Sequence, residues 1–566
     1  MSRRAGLLAV LAAAGAALAS CSKDVKDGGS GQPAVAPGKP TFTVFALAEV
    51  RGQIGPCGCT TDPLGDVART ARMIAEARAA GPVLVVDAGS LLYSKDPIPA
   101  QHEAQEELKA DLLAKTYREE LAVSALGLGW ADLVKGPAKV RLPRHAVNVA
   151  ADAGVPLEKP AVKEVGGVKV GVFGVLANDA VKDLPLADPV AAGKAAVAEL
   201  RQGGAQVVLA LVQAPSKKDA VVLVRAIGGI DFAVAGLGLQ TPEPEAIEAE
   251  ATAVGDGWLV VPANRGQVVP RLDITMRADA PGPFADAVGG AAAAAKIATL
   301  ERQLAALDAD LARFKSDKSA DPAFVRQKQG ERDQLAKQRD QLAKQPFAIP
   351  ARGSYFMLEQ VRVNKTKACE AKVQDAVTAF YHAAGEANAA AAGAVPPTPV
   401  PEGKATFVGN EACEDCHDDA IQFWKGTRHA SAWETLVQRG QQLDLDCIGC
   451  HVTGWGQPGG ATLAINERLR DVGCETCHGP GSIHVAKGGE EKPSAVVRNP
   501  PQEMCATQCH THEHSDTFQY EAYMRDVVGK GHGDLLRGRL GKGATGAQLR
   551  KAGMDKAGKM GPGCIR

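Results

Sequence analysis

The chain contains 566 residues, with 64 lysines and arginines against 65 aspartates and glutamates, and its formal net charge is -1. This balance excludes nucleic acid as the main partner, because nucleic-acid-binding proteins present an excess of basic residues. The composition, 45% hydrophobic with 13 cysteines, excludes collagen-like, purely coiled-coil and fully disordered chains. At roughly 150 residues per domain, the length predicts about three to four structural units.

Residues 1–20 have the features of an export signal peptide. Arg3 and Arg4 precede an apolar run that is too short to span a bilayer permanently, and small residues follow it. The ending Leu18-Ala19-Ser20-Cys21 resembles the lipobox of bacterial lipoproteins. This resemblance implies that Cys21 is lipidated and that residues 21–40 are a flexible tether to a bacterial membrane; an ordinary signal peptide is the alternative. We therefore expect a lipid-anchored protein of the cell envelope or periplasm, where disulfides form.

Residues 41–280 alternate short apolar runs with amphipathic helical stretches. The apolar runs lie at 41–47, 82–89, 168–176, 207–212 and 230–237. Apolar runs of this length, separated by helices, are typical of buried strands in an α/β sheet. The pattern predicts an α/β domain over residues 41–280.

The order of these runs resembles the 5'-nucleotidase family of metallophosphoesterases, whose layered α/β sandwich surrounds two metal ions. Five family motifs have corresponding positions in this chain. Asp-x-His-Gly corresponds to Glu49-Val50-Arg51-Gly52, Ala-Gly-Asp to Ala88-Gly89-Ser90, and Gly-Asn-His-Glu to Gly129-Trp130-Ala131-Asp132. The histidine of Leu-x-His corresponds to Gln213, and Gly-His-x-His to Gly236-Leu237-Gly238-Leu239. A dinuclear site needs several histidine and carboxylate ligands, and nearly all are missing. The comparison predicts a degenerate domain, a pseudo-enzyme without phosphoesterase activity.

A Cys-x-Cys pair, Cys57 and Cys59, follows the first predicted strand. Such a pair can form a structural disulfide, act as a redox couple or bind a soft metal. Once Cys21 and eight cysteines discussed below are set aside, Cys369 and Cys564 also remain. All three interpretations of the pair stay open at this point, as does a pair of inert thiols.

The middle of the chain predicts helices and connectors. Residues 281–347 carry leucines and other apolar residues at heptad spacing, interrupted near Asp321-Pro322, which predicts a helical hairpin; a coiled-coil dimer is the competing interpretation. Residues 348–390 predict a strand and a helix, and 391–404 an Ala/Pro-rich linker. The tail at 537–566 is basic and Gly-rich, and we expect it to be poorly ordered.

The C-terminal third contains three copies of C-x-x-C-H. We call them motif 1 (Cys413, Cys416, His417), motif 2 (Cys447, Cys450, His451) and motif 3 (Cys474, Cys477, His478). In this pattern two thiols form thioethers to one porphyrin and the adjacent histidine binds its iron, so the pattern predicts c-type haem attachment. Zinc binding by the same residues is the alternative.

Motif 4 (Cys505, Cys509, His510) has three residues between its cysteines instead of two. It predicts a fourth haem, so we expect four haems c and three at minimum; a disulfide, or a haem held by ligation alone, is the alternative. A second histidine on each iron would favour electron transfer over substrate binding. Five histidines are candidates for these distal positions: His429, His484, His512, His514 and His532.

The region at 405–536 resembles the tetrahaem cytochromes c that accept electrons from hydroxylamine oxidation. The shared features are motif 1, W-x-x-x-x-HA, a motif 2 followed by V-x-G, and the run Val472 to Gly481 containing motif 3. The resemblance implies a mostly helical, haem-packed domain with haems in close pairs. Some members of that family contain one five-coordinate haem.

Two functions follow from these features. The first is an anchored multihaem cytochrome that passes electrons between envelope redox partner proteins, with the degenerate domain as a docking or sensing module. The second is an oxidoreductase that acts on a small nitrogen or sulfur compound at a five-coordinate haem. The five distal candidates favour the first, because they suffice to close four irons.

Overall fold

The computed structural model describes residues 39–56, 58–277, 283–287, 290–316, 322–344, 349–350, 352–392, 398–464, 467–489 and 495–564. The predicted signal peptide, Cys21, almost all of the tether and Cys57 lie outside these ranges. Within them, no helix is both long and apolar enough to cross a membrane.

Two six-stranded sheets form the frame of the N-terminal half. Their orders are β13-β14-β12-β1-β2-β3 and β10-β11-β9-β8-β7-β6, and β4 and β5 make a separate pair. The strands are β1 Phe42–Leu47, β2 Val83–Asp87, β3 Ala125–Leu126, β4 Arg144–His145, β5 Leu157–Glu158, β6 Ala161–Val165, β7 Val168–Leu176, β8 Val207–Gln213, β9 Phe232–Gly236, β10 Thr252–Val254, β11 Gly257–Val260, β12 Val268–Thr275, β13 Ala285–Asp286 and β14 Tyr355–Arg362.

The described residues also form α-helices on the outer faces of the sheets and in the C-terminal third. They are α1 Val67–Ala80, α2 Glu103–Glu119, α3 Pro189–Gln202, α4 Lys217–Ile227, α5 Gly290–Ser316, α6 Pro322–Lys344, α7 Ala371–Ala392, α8 Glu411–Lys425, α9 Ala432–Val437, α10 Cys474–His478, α11 Ser482–Ala486, α12 Gln502–Gln508, α13 Tyr520–Val527, α14 Asp534–Leu540 and α15 Gly546–Ala557.

The two sheets stack face to face, and helices cover both outer faces. Because side chains alternate along a strand, Phe42 and Val44 of β1 enter the core between the sheets, whereas Phe45 faces helices α1, α2 and α7. Helices α3 and α4 cover the other sheet with a third apolar cluster. The predicted layered α/β sandwich is therefore confirmed.

The strand and helix predicted at 348–390 form, but they are not an appendage. Strand β14 pairs antiparallel with β12 over its whole length, from Tyr355 opposite Thr275 to Arg362 opposite Val268. Helix α7 packs on the outer face of the same sheet, where Val377 and Phe380 enter its core. These residues therefore complete the sandwich, and its C-terminal limit lies beyond 280.

Helices α5 and α6 run antiparallel, as expected for a hairpin. Near the connection, the rings of Phe314 and Phe324 lie 5.3 Å apart between centroids, and Arg332 Nε donates to Asp308 Oδ1 at 2.9 Å. At the far end, Ala293 and Leu342 share a small cluster. Dimerisation through this hairpin stays a prediction.

The C-terminal third contains short helices and few apolar contacts, and its tail differs from the expectation. The residues after 536 form most of α14 and all of α15, and the Thr545 side chain caps α15. Cys564 forms a disulfide with Cys369, which lies two residues before the start of α7. The predicted poorly ordered tail is therefore wrong, because capping and a covalent link outweigh its Gly-rich composition.

Candidate haem-binding centres

Motifs 1 and 3 lie in helices. Motif 1 belongs to α8, and motif 3 forms α10. Cysteines three residues apart on a helix lie on one face, so both thiols of each motif can reach the same porphyrin. Helical geometry is interrupted at His417, where φ is -125°, so this histidine departs from the direction of the helix.

Motifs 2 and 4 use tighter or interrupted turns. In motif 2, Ile448–Cys450 is a single 3-10 turn. In motif 4, α12 ends at Gln508, and the Cys509 backbone, with φ -127°, leaves the helix. The His510 amide still donates to the Cys505 carbonyl at 2.8 Å. The additional residue of motif 4 is therefore accommodated at the end of the helix.

Three of the four motif histidines have their Nδ1 atoms occupied by hydrogen bonds. Nδ1 lies 2.5 Å from the Ala432 carbonyl oxygen in His451, 2.7 Å from the Val497 carbonyl oxygen in His478, and 3.1 Å from Ser515 Oγ in His510. Metal-bound histidines commonly donate their second ring N–H to a carbonyl or similar acceptor, which leaves the other nitrogen for the metal. These contacts suit Nε2 ligation of iron.

Two distal candidates stand opposite motif histidines at a separation that fits an iron between them. The ring centroids are 6.4 Å apart in the pair His417 and His484, and 6.3 Å apart in the pair His429 and His510. Metal–imidazole bonds of about 2 Å on both faces of one metal would place the centroids about 6 Å apart. Burial, with a smaller effect from His429, lowers the pKa of His510 to about 4, so its ring is the neutral form that binds metals.

The remaining distal candidates lie in different surroundings. His532 is close enough to His478 and His417 for their charges to lower its pKa, although burial lowers that pKa more. His512 is exposed. His514 approaches Gly58, where a Cβ atom would lie 3.3 Å from His514 Nδ1. His429, His484 and His532 therefore each approach a motif histidine.

His451 of motif 2 has different neighbours. Burial lowers its pKa, and Arg439 and Asp471 are the charged residues that act on it. Across the parts of the chain that the structure describes, neither His451 nor His478 has a second imidazole at the ring distance found for His417 and His510, but His478 has His532 close enough for a charge effect, whereas no histidine acts on His451 in this way. An iron held by His451 would therefore have one face without a histidine.

The motif cysteines bring the four centres into a row. The side chain of Cys413 is close enough to that of Cys474 to shift its pKa, and the same holds for Cys450 and Cys509. Cys477 is within electrostatic range of Cys505. Motif 1 thus neighbours motif 3, motif 3 neighbours motif 4, and motif 4 neighbours motif 2.

The positions that match the metallophosphoesterase ligands are filled by a different network. Asp132 accepts hydrogen bonds from the backbone amides of Ser90 at 2.9 Å and Gly129 at 3.0 Å. Its other oxygen accepts from Arg144 Nη2 at 2.9 Å, and both side chains are fully buried. Gln213 Nε2 donates to the Ala88 carbonyl at 3.1 Å. The Arg144 guanidinium thus balances the Asp132 charge.

Glu49 is the buried carboxylate of the first matching run. Neither of its oxygens has a hydrogen-bond partner at normal distance among the described residues, although Arg51 Nε lies 3.9 Å from one of them, and Arg51, Gln213 and Ser90 lower its pKa. Burial is the larger effect and raises the pKa of Glu49 to about 7. The φ angles of Glu49 and Ser90, 53° and 62°, are in the left-handed region that non-glycine residues seldom adopt. Strained turns therefore persist where the ligands have changed.

Within the described residues, no group of three or more histidine, cysteine, aspartate or glutamate side chains is arranged to hold a metal ion. Cys59 is an exposed thiol, and Cys57 lies outside the described ranges. The Arg550 guanidinium donates to the Cys59 carbonyl at 2.9 Å. Cys447 and Cys450 of motif 2 are within electrostatic range of Cys59. The segment around the Cys-x-Cys pair therefore adjoins motif 2.

The sandwich and the haem-binding region meet through polar contacts. Thr61, two residues after Cys59, donates from its backbone amide to Asp516 at 3.0 Å. Arg265 pairs with Glu513, next to His514. Gln105 of α2 donates to Asp444 at 2.7 Å, three residues before motif 2.

Several of these residues carry no signal in the sequence. Gln105 looks like an ordinary polar position of an amphipathic helix, and Asp444 like a loop residue. Glu475 is a variable position of motif 3, yet its buried carboxylate accepts from the amides of Gly409 and Gly481, each at 2.7 Å. Only the tertiary arrangement assigns roles to these residues.

Comparisons with known proteins separate the two halves. Residues 412–479 match the family model described as cytochrome c554 and c-prime. Cytochrome c-554 of Nitrosomonas europaea is 41% identical over 93 residues, which cover 14% of this chain and 40% of that protein. The solved structure of reduced cytochrome c554 from Nitrosomonas europaea matches at 33% identity, covering 19% of this chain and 65% of that chain, with a TM-score of 0.15.

The solved 5'-nucleotidase precursor of Thermus thermophilus matches at 22% identity, covering 42% of this chain and 51% of that chain, with a TM-score of 0.35. A calcineurin-like phosphoesterase of Bacillus subtilis matches at 17% identity, covering 42% and 85% of the two chains, with a TM-score of 0.32. The chain thus spans 40% of its curated relative and 51% of the first of these structures. It joins an α/β sandwich that resembles metallophosphoesterases to a C-terminal region that resembles cytochrome c554.

Proposed function

We propose that this protein is a periplasmic multihaem c-type cytochrome that transfers electrons between envelope redox partners. The observation that carries the proposal is the set of motif histidines opposed by second histidines, His417 by His484 and His510 by His429, at about the span of one iron. Haem c supplies a one-electron redox centre when bound. Histidines on both faces of an iron favour electron transfer over substrate binding.

The row of motifs supports transfer along the chain of centres. Electrons would pass in the order 1, 3, 4 and 2, because the attachment cysteines of successive motifs in this order are neighbours. The proposed lipid on Cys21 would hold this row near a membrane, and the tether would let it reach partner proteins.

Counting covalent haems tests the proposal. Full-length protein matured in a host with c-type haem assembly is expected to carry four haems by intact mass and by haemochrome absorbance. A matched variant, Cys505→Ala/Cys509→Ala, should carry three. A wild-type count of zero, with zinc retained, would overturn the proposal, and a count of three in both proteins would remove motif 4 from it.

We further propose that the sandwich is a docking or sensing module without phosphoesterase activity. The support is the Asp132–Arg144 pair at the positions that resemble metal-binding ones. The purified protein with added manganese or zinc is expected not to hydrolyse bis-nitrophenyl phosphate. Metal-dependent turnover that disappears in Glu49→Gln would contradict this part.

A second function, reduction or oxidation of a small nitrogen or sulfur compound, is favoured by one observation. His451 has no opposing imidazole in the described part of the chain, which would leave a coordination position at motif 2 for a small molecule. Carbon monoxide is expected to bind one haem of the reduced protein without displacing a histidine. Absence of any carbon monoxide spectrum would exclude this function.

Cys59 is within electrostatic range of Cys447 and Cys450 of motif 2, which supports a proposal for the Cys-x-Cys pair. We propose that Cys57 and Cys59 form a redox couple. Mass-spectrometric mapping with a thiol reagent is expected to label both after mild reduction and neither after oxidation. If both stay unlabelled under mild reduction, the proposal fails and a structural disulfide takes its place.

A further inference from the structure

Helix α2 of the sandwich is bound to the segment that directly precedes motif 2. Gln105 makes three hydrogen bonds to this segment. Its Nε2 donates to Asp444 Oδ1 at 2.7 Å and to Asp446 Oδ2 at 3.2 Å, and its Oε1 accepts from the Leu445 amide at 3.1 Å. One turn later, Lys109 Nζ donates to Asp446 Oδ2 at 2.9 Å. Asn388 of α7 donates to the same Gln105 Oε1 at 2.9 Å. Two helices of the sandwich therefore fix the approach to motif 2.

The contact contains four charged groups. Lys109 also donates to Glu106 at 2.8 Å, and Lys95 pairs with Asp446. The side chains of Lys109 and Glu106 are 7% and 0% exposed, and that of Asp446 is 36% exposed. Burial alone would lower the pKa of Lys109, but Asp446 and Glu106 together raise it, so the lysine stays charged. The charges of Lys109 and Glu106, which are buried, are weakly screened by solvent and salt.

Two carboxylates of this segment, Asp444 and Asp446, lie next to the atom that would carry a haem, and Lys109 is bound to one of them. Asp446 is adjacent in sequence to Cys447, and Asp444 Oδ2 is 3.4 Å from Cys447 Sγ. This sulfur is the thioether atom expected at motif 2. The reduction potential of a haem depends on nearby charge and on burial, because ferrous haem carries one positive charge fewer than ferric haem.

We propose that Lys109 and Asp446 are positioning residues through which the sandwich sets the reduction potential of the haem at motif 2. The cation of Lys109 stabilises the ferrous form and raises the potential. The carboxylate of Asp446 stabilises the ferric form and lowers it. The sandwich thereby acts on the haem at motif 2.

The test uses the full chain matured with its haems and follows each haem by spectroelectrochemical titration. Lys109→Met is expected to lower the midpoint potential of the haem at motif 2, and Asp446→Asn is expected to raise it. Each shift should change the reduced-to-oxidised ratio about tenfold, which corresponds to about 59 mV for one electron. The double variant should return close to wild type, and Lys109→Arg should keep the wild-type value. Misplacement of the haem would not give opposite shifts that cancel.

Two further variants keep the result decisive. Lys95→Met removes a more exposed cation, with 29% of its side chain accessible, and should lower the same potential by less. Lys217→Met breaks an exposed ion pair between Lys217 of helix α4 and Glu248, and it should leave the midpoint potential unchanged. Shifts in the same direction for Lys109→Met and Asp446→Asn, or no shift in either, would overturn the proposal.

This inference rests on the proposed haem at motif 2, and the two can fail separately. A haem count that lacks motif 2 contradicts the proposed function. A full count with unchanged potentials contradicts only the role of Lys109 and Asp446.

Discussion

In the sandwich, 23 buried apolar side chains, Phe42 and Val44 among them, fill the space between two sheets. In the haem-binding region, the apolar cluster of the described residues contains six: Phe407, Leu445, Ile448, Val452, Ala461 and Leu469. A core of that size cannot offset the conformational entropy of more than a hundred residues. The difference teaches that the sandwich is built around side chains, whereas the C-terminal region depends on haem for its interior.

Removal of haem is expected to produce the largest difference in stability between the two regions. Protein produced without c-type haem assembly is expected to lose protease resistance across residues 405–536, because no apolar core holds them, while the sandwich stays intact. Limited proteolysis with mass-spectrometric mapping measures this, with the matured protein as the control. Equal protection of both regions in the haem-free protein would contradict the comparison.

Within the sandwich, the pair Asp132 and Arg144 should contribute strongly to stability. Arg144→Met leaves a fully buried carboxylate unpaired, which should lower the free energy of unfolding by about 3–5 kcal/mol. The control is Arg201→Met, which breaks a pair with Asp231 that is 37% exposed on the arginine side, and it should cost less than about 1 kcal/mol. Chemical unfolding followed by circular dichroism gives both free energies. Equal losses in the two variants would contradict the larger contribution expected of the Asp132–Arg144 pair.

A smaller and pH-dependent effect is expected at Glu49. Its folded-state pKa of about 7 is above the unfolded value of 4.5, so its stabilising contribution is present at low pH and is lost as pH rises through 7. Glu49→Gln should therefore raise the free energy of unfolding by about 2–3 kcal/mol at pH 8 and by almost nothing at pH 4.

The control for this prediction is Glu76→Gln, whose carboxylate is 58% exposed. Its free energy of unfolding should differ from that of wild type by less than about 1 kcal/mol, because an exposed ion pair contributes little. If the free energy of unfolding of Glu49→Gln differs from that of wild type by the same amount at pH 4 and pH 8, burial does not raise the pKa of Glu49.

Local patterns predicted the elements better than their assembly. The run Val83–Asp87 is a buried strand because consecutive apolar residues suit a strand covered on both faces. The sequence pattern also predicts strand β14, but the α5–α6 hairpin separates β14 in sequence from its partner β12. No local pattern encodes such a pairing. The same limit explains why α7 was not assigned to the sandwich.

The haem centres show the same division. Motif spacing is a covalent requirement, so cysteine and histidine positions can be read directly from the chain. Which distal histidine approaches which motif depends on the tertiary fold. The sequence offers His512 and His514 on equal terms with His429, although the fold brings only the last of these opposite His510.

The disulfide between Cys369 and Cys564 encloses the haem-binding region between two points attached to the sandwich. Any single backbone cut between these cysteines leaves the fragments covalently joined. Cleavage in the exposed stretch at 401–404 would therefore go unnoticed on a non-reducing gel and would release a separate haem-bearing fragment only after a reductant is added. The Cys369–Cys564 disulfide thus keeps the haem-binding region covalently attached to the sandwich after such a cleavage.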